Sequence, residues 1–148
     1  MNDYRIVEGS EAYLVDLMRC IEDLAEFEKA PQEVANSLEQ LTADFHAKAF
    51  DYIVAIVEQK VVGISLFYPR YSTWKGRCFY LEDLYVDPDQ RGKGIGKALL
   101  EATANRARAH GAKRLDWQVL DWNSTAVEFY QSMGAKVEKE WWNCKWWL

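Results

Sequence analysis

Gln90-Arg91-Gly92-Lys93-Gly94-Ile95-Gly96-Lys97 is the stretch on which the reading of this chain turns. Three glycines fall within five residues, interleaved with Arg91, Lys93 and Lys97. Glycine lets the backbone take positive φ and approach a ligand closely. Before the stretch, residues 77–86 (RCFYLEDLYV) read as a strand closed by Asp87-Pro88. After it, residues 95–110 read as a helix, with Gly111 as its natural stop. A helix entered from such a turn presents unpaired N–H groups and the positive end of its dipole. Turn, helix end and cations together form an anion site suited to pyrophosphate. The bland alternative is a glycine-softened helix entry without a ligand.

Spacing removes two rival phosphate motifs. A P-loop counted from Gly92 needs glycine at 97, which is Lys97, and the chain continues with Ala98. A dinucleotide GxGxxG counted from Gly92 or Gly94 needs glycine at Lys97 or Leu99. A Rossmann turn also follows the first strand of its unit, whereas here the turn follows the fourth strand candidate.

Working outward, residues 4–7 read as a short strand, and Ser10 as the cap of a helix. Leu14, Leu17, Met18, Ile21, Leu24 and Ala25 recur at helical spacing, carrying that helix to about Phe27. Pro31 marks a loop. Ser37-Leu38-Glu39-Gln40 fits a capping box that opens a second short helix to about Ala47. Residues 52–57 and 61–68, joined by Glu58-Gln59-Lys60, form a hairpin pattern. Residues 69–76 read as a loop. Beyond Gly111, residues 114–120 return to strand. Asn123 or Ser124 caps a helix through Met133, and residues 135–139 and 142–148 are two further strand candidates. The expected fold is a single α/β domain over 1–148, with helices on both faces of one sheet.

The bulk numbers exclude several classes. No apolar run approaches the roughly 18 residues of a membrane span, and Met1-Asn2-Asp3-Tyr4-Arg5 lacks the pattern of a signal peptide. A soluble, cytoplasmic protein is the expectation. Cys20, Cys78 and Cys144 are odd in number and dispersed, which argues against a disulfide framework or a zinc site. His46 and His110 have no neighbour suggesting a metal or a triad, so no metal is expected. Net charge is −5 but uneven: residues 1–62 carry 13 acidic and 5 basic side chains, residues 91–114 carry 1 and 7. The overall acidity speaks against nucleic acid. The split suggests two partners of opposite sign, or simply two solvated faces.

Arg-x-x-Gly-x-Gly between a strand and a long helix resembles the acyl-CoA signature of the GNAT acyltransferase superfamily, and the element order matches over nearly the whole chain. The resemblance implies a mixed, mostly antiparallel central sheet and acetyl-CoA as cosubstrate. It implies pyrophosphate on Arg91, Gly92, Lys93, Gly94, Ile95, Gly96 and Lys97, and the pantetheine arm on backbone groups of Leu84, Tyr85 and Val86. Asn123, Ser124 and Ala126 match positions that touch CoA; read alone, Asn123 is a helix cap. Tyr80-Leu81-Glu82-Asp83-Leu84-Tyr85-Val86, Asp23-Leu24-Ala25-Glu26-Phe27-Glu28, Trp122-Asn123 and Glu128-Phe129-Tyr130 are similar to the diamine (spermidine/spermine) N-acetyltransferases. That subfamily also includes enzymes acting on thialysine.

Acetyl transfer to an amine needs proton removal from the ammonium and donors for the developing oxyanion. Glu82 is the candidate base, a carboxylate in an otherwise apolar and aromatic strand. Regular alternation puts Asp83 on the opposite face, unless a bulge intervenes. Tyr130 read alone fits core packing; the resemblance implies a general acid toward the leaving thiolate. The resemblance also implies a backbone N–H of Leu84 or Tyr85 at the thioester carbonyl. Phe27, Glu28, Trp74, Glu82, Asp83 and Gln118 are candidates for holding a small primary amine, through carboxylates and aromatic faces. The polyamine enzymes tend to carry an acidic residue two before this tryptophan. Here it is Ser72, which favours a shorter amine. Alternation in the tail puts Trp142 and Trp146 on one face, Trp141 and Trp147 on the other, as in a buried strand or a homodimer contact. Glu138 or Glu140 is then a candidate to face the site.

Overall fold

The computed structural model describes residues 3–148; Met1 and Asn2 of the N-terminal stretch lie outside the described residues. The chain forms two compact units, residues up to Trp117 and Gln118–Leu148. The first unit holds β1 (Arg5–Glu8), α1 (Leu14–Phe27), α2 (Leu38–His46), β2 (Asp51–Val57), β3 (Lys60–Ser72), β4 (Gly76–Val86), α3 (Ile95–Ala109) and β5 (Leu115–Asp116). The second holds α4 (Ser124–Ser132). The sheet runs β1-β2-β3-β4-β5; β1 to β4 pair antiparallel and β5 joins β4 in parallel.

Helices cover both faces of the sheet, which is why β2 is buried along nearly its whole length. Tyr52, Val54 and Ile56 pack with Leu14, Leu17 and Met18 of α1 and Leu41 of α2. Ile53 and Ala55 point the other way, onto Ile95, Leu99 and Ala107 of α3. Polar ties brace these layers. Arg19 of α1 donates to the Val61 carbonyl (2.8 Å) and to Asp87 (3.1 Å), whose own amide donates to the Val62 carbonyl (2.7 Å). Arg106 of α3 pairs with Glu8 and Asp51 on β1 and β2. Inside the α3 layer, Thr103 donates to the Leu99 carbonyl (2.8 Å), so the buried Ser65 hydroxyl donates to Thr103 (2.5 Å).

The local signals are realised with adjustments. Ser37 accepts from the Gln40 amide (3.1 Å), completing the cap of α2. Ser10 makes no side-chain cap bond; it precedes a single 3-10 turn, and α1 starts only at Leu14. The β2–β3 link is the two residues Glu58 and Gln59, both at positive φ (47° and 68°), as a type I′ turn requires.

Three sequence expectations are corrected. Residues 69–72 are strand: β3 runs through Ser72 and turns at 73–75, where Ser72 Oγ accepts from the Trp74 and Lys75 amides. Pro69 is tolerated because β2 pairing ends at Phe67, so no neighbour on that side needs its missing N–H. The strand expected over 114–120 shrinks to Leu115–Asp116, paired only at Phe79 and Tyr80. Residues 135–148 form no strand, and Trp141, Trp142, Trp146 and Trp147 are exposed. Apolar alternation makes a strand only where a ladder partner is present, and in the second unit none is formed.

Replacing Thr103 by Val leaves the buried Ser65 hydroxyl without its acceptor. We expect a loss of about 1–3 kcal/mol in urea unfolding, with partial recovery in the double variant Ser65→Ala/Thr103→Val. Equal losses in both variants would speak against the pairing.

Candidate active site

The glycine turn has the conformation its sequence requires. Gly92 and Gly94 lie at φ +78° and +85°, the left-handed region that favours glycine. A Cβ at Gly92 would meet nothing within 4 Å, so the turn opens outward rather than packing against protein. Gly94 is the N-cap of α3, and the first helical bond runs from the Ala98 amide to the Gly94 carbonyl (3.0 Å). The amides of Ile95, Gly96 and Lys97 therefore precede the hydrogen-bond ladder, as an anion cradle needs. Lys93 reaches Gln90 (3.0 Å). Arg91 is tied inward: its Nε donates to the Val86 carbonyl (2.9 Å), and its guanidinium lies 5.1 Å from the Phe27 ring and 5.8 Å from the Tyr85 ring. It thus clamps the turn to β4 and to the end of α1.

On the side of β4 away from β3, β5 pairs only with Phe79 and Tyr80. From Leu81 to Val86 no strand of the first unit pairs with that edge, among the described residues. The backbone of Leu84, Tyr85 and Val86 lies on this stretch, immediately before the glycine turn.

The same strand carries an extra residue. Leu66 pairs with Asp83 and Phe67 with Leu81, so Glu82 is unpaired in a β-bulge. The bulge is the exception to regular alternation, so Glu82 and Asp83 do not face opposite ways. Asp83 stands opposite Leu66, and Glu82 accepts a hydrogen bond from the Tyr68 phenol (3.0 Å); Leu66 and Tyr68 both belong to the α1 face. Two adjacent carboxylates share one face because the bulge cancels one step of the alternation.

Glu28, at the C-terminus of α1, joins them. Burial, then the charges of Glu82 and of Glu28, push the Asp83 carboxyl up to about 7. Burial also raises Glu28. The Tyr68 phenol is pushed up to about 12 by burial and by Glu82. The Tyr80 ring lies tilted against that of Tyr68 with centroids 5.6 Å apart, and its phenol is raised by burial and then by Glu82. The result is an acidic, aromatic-walled surface beside the open β4 edge, suited to an ammonium group.

Other candidates fall elsewhere. Trp74 is 82% exposed at the tip of the β3–β4 hairpin. At about 3.3 Å per residue it stands roughly 20 Å from Glu82, so it does not join the carboxylates of its own chain. Gln118, Asn123, Ser124, Ala126 and Tyr130 belong to the second unit. There Asn123 Oδ1 accepts from the Ala126 amide (3.3 Å), capping α4, and Gln118 donates to Asn143 (2.5 Å). The Tyr130 ring lies 5.4 Å from that of Phe129, and the Tyr130 carbonyl accepts from the Ala135 amide (3.0 Å). Glu138 accepts from the Trp141 indole (3.2 Å). Cys20 and Cys78 are buried free thiols, and Cys144 is exposed. Sequence reasoning missed Tyr68. Its place five residues before the turn at 73–75 carries no signal; only the register of β3 on β4 brings it to Glu82.

Left-handed glycines at a helix N-terminus, an open strand edge and a bulge within it are the features that the first unit brings together. Residues 15–135 match the Acetyltransferase (GNAT) family, and the chain belongs to that family. It is 40% identical over 151 aligned positions to a thialysine N-epsilon-acetyltransferase of Bos taurus, covering 94% of this chain and 89% of that protein. The enzyme of the same name from Caenorhabditis elegans is 38% identical, with 90% and 83% covered. Among solved structures, an aminoglycoside acetyltransferase from an uncultured soil metagenomic sample superposes with a TM-score of 0.84 at 24% identity, covering 99% of this chain and 97% of that one, a likeness of fold.

The raised Asp83 carboxyl makes stability pH-dependent. The folded state holds a proton there between about pH 4 and 7 that the unfolded chain releases, so this contribution fades as pH rises through 7. Relative to Asp83→Asn, the wild type should lose stability in urea over that window; a pH-independent difference would refute the assignment.

Proposed function

We propose that the chain transfers acetyl from acetyl-CoA directly to a small primary amine, releasing CoA and the N-acetylamine without a covalent enzyme intermediate. The observation that carries this reading is the carboxylate face of Glu28, Glu82 and Asp83 next to the glycine turn. It offers an ammonium-binding surface beside an anion cradle. The thialysine N-epsilon-acetyltransferases that resemble the chain over most of its length support the class of acceptor. Ser72 stands where the polyamine enzymes tend to carry an acid, and here it serves the turn at 73–75. Both features favour a thialysine-like or diamine acceptor over a long polyamine.

In this reading acetyl-CoA is the second substrate. The amides of the 92–97 turn receive its pyrophosphate, with Lys93 and Lys97 adding charge and Arg91 holding the turn to β4. The free edge at Leu84, Tyr85 and Val86 pairs with the pantetheine arm, and an amide there polarises the thioester carbonyl. Asn123, Ser124 and Ala126 add contacts to CoA, and Tyr130 donates a proton to the departing thiolate. Phe27, Glu28, Glu82 and Asp83 hold the amine, with Gln118 and Trp74 as outer candidates. By the family pattern Glu82 lies where the ammonium proton is removed. No step calls for a metal. The family match runs across the boundary at Trp117, which supports one catalytic domain made of both units. We further read the protein as a cytoplasmic homodimer with the exposed tryptophans of residues 141–147 at the contact. No helix of the described residues is long and apolar enough to cross a membrane.

A panel of spermidine, putrescine, thialysine and related amines with free-CoA detection tests the activity; turnover of at least one is expected, and no CoA release with any of them would end the proposal. Tyr130→Phe should lower kcat by about 10²–10⁴-fold while CoA binding persists. Gly94→Ala forces a side chain into the left-handed region at a cost of about 1–2 kcal/mol. It should weaken CoA binding, measured by calorimetry, about tenfold and leave the amine KM nearly unchanged.

A further inference from the structure

Beyond Glu82, toward the turn that joins β3 to β4, the α1 face of the sheet changes sign. Tyr68 and Arg70 lie two residues apart on β3 and share that face, and the register sets Tyr80 opposite Tyr68. Asp116 of β5 pairs with Tyr80 on its other side. The Tyr68 phenol donates to Glu82 (3.0 Å), while the Arg70 guanidinium lies 5.4 Å from the centroid of the Tyr80 ring. The Arg70 charge acts on both phenols, against the burial and the Glu82 charge that raise them. Two aromatic rings therefore stand between a carboxylate end, formed by Glu28, Glu82 and Asp83, and an arginine end.

The arginine end keeps a net positive charge. Arg114 is the nearer partner of Asp116, its Nε donating to Oδ1 (2.6 Å). Arg70 Nη1 stands 3.7 Å from Asp116 Oδ2, beyond hydrogen-bond reach, and Oδ2 accepts no hydrogen bond among the described residues. Two guanidiniums facing one carboxylate leave one charge uncompensated. Arg19, Arg91, Arg106 and Arg114 all donate hydrogen bonds within the fold. The Arg70 side chain is 54% exposed, and its guanidinium donates none among the described residues. A planar fork of free donors, held over an aromatic ring and open to solvent, is the group that takes a carboxylate bidentately.

We infer that Arg70 sets the charge at the far end of the acceptor: it binds a carboxylate there, so the substrate is an α-amino acid with an amine-bearing side chain in preference to a diamine. The inference rests on the amine-acetyltransferase reading above and narrows its acceptor. The reacting amine lies at the carboxylate end, the carbon chain runs along the Tyr68 and Tyr80 rings, and the α-carboxylate meets Arg70. Tyr80 and Glu82 are two residues apart, about 7 Å along the strand, a span that a side chain of lysine length bridges. A diamine brings a second ammonium to the same place without a carboxylate and meets like charge. Arg70 is in this sense a specificity-determining residue, remote from the acetyl group that moves.

The test compares matched pairs at saturating acetyl-CoA: ornithine against putrescine, and thialysine against its decarboxylated analogue. Each diamine is the amino acid without its carboxylate, so the ratio of the two kcat/KM values reads the far-end contact alone. In whichever pair is acetylated the wild type should favour the amino acid about tenfold or more. Arg70→Gln should lower that ratio about tenfold, and Arg70→Glu should reverse the preference. Arg70→Lys should keep its direction at reduced size, because the charge stays and the fork is lost. CoA binding by calorimetry, retained in all three variants, marks them as folded. A wild type that favours the diamines overturns the inference, as does a ratio that Arg70→Gln and Arg70→Glu leave unchanged. Absence of turnover with every acceptor would instead strike the functional reading. Calorimetric binding of ornithine and putrescine to the CoA-loaded wild type and to Arg70→Glu then still judges Arg70: tighter ornithine in the wild type with reversal in the variant upholds it, and equal binding overturns it.

Discussion

One surplus residue in β4 organises this molecule. Up to Leu81 the strand alternates in one phase, with Phe79 on the α3 side and Tyr80 on the α1 side. Glu82 interrupts the pairing with β3, and the phase reverses. Tyr85 then enters the α1 core while Leu84 and Val86 face α3. A regular strand would have sent one of the two carboxylates into the apolar layer beneath α3, where an unpaired charge costs several kcal/mol. The bulge avoids that cost by keeping both acids on the face that α1 only partly covers.

The bulge also works together with the edge. β5 leaves β4 after Tyr80, so among the described residues of the first unit only β3 pairs with the stretch from Leu81 to Val86. An exposed edge of this kind invites pairing with another chain unless something occupies or blocks it. In the proposed function an extended substrate arm is the occupant. The braces around Asp87 keep the segment between edge and glycine turn in place. Arg19 binds Asp87 and the Val61 carbonyl, the Asp87 amide binds the Val62 carbonyl, and Arg91 binds the Val86 carbonyl. Two arginines, Arg19 through Asp87 and Arg91 through the Val86 carbonyl, thus serve as scaffold around the end of β4.

The aromatic tail shows the limit of pattern reading. Trp141, Trp142, Trp146 and Trp147 alternate as a two-faced strand does, yet within this chain they lie exposed and without a ladder. A strand is a property of a pair of segments, and a pattern in one of them carries no information about the other. Residues 69–72 are the converse case. Their proline and polar composition read as loop, but β4 was there to pair with them.

What the sequence determined by itself was local chemistry. The left-handed glycines of the 91–96 turn, the Ser37 and Asn123 caps and the long helices were all legible. Each depends on residues close in the chain and on conformations that few side chains allow. What only the tertiary structure decided was which distant groups meet. Tyr68 reaches Glu82, Glu28 reaches Asp83, and Trp74 stays apart, because strand register and one unpaired residue set those distances. Alternation propagates along a strand only until a bulge, and the bulge is visible only once β3 is laid beside β4.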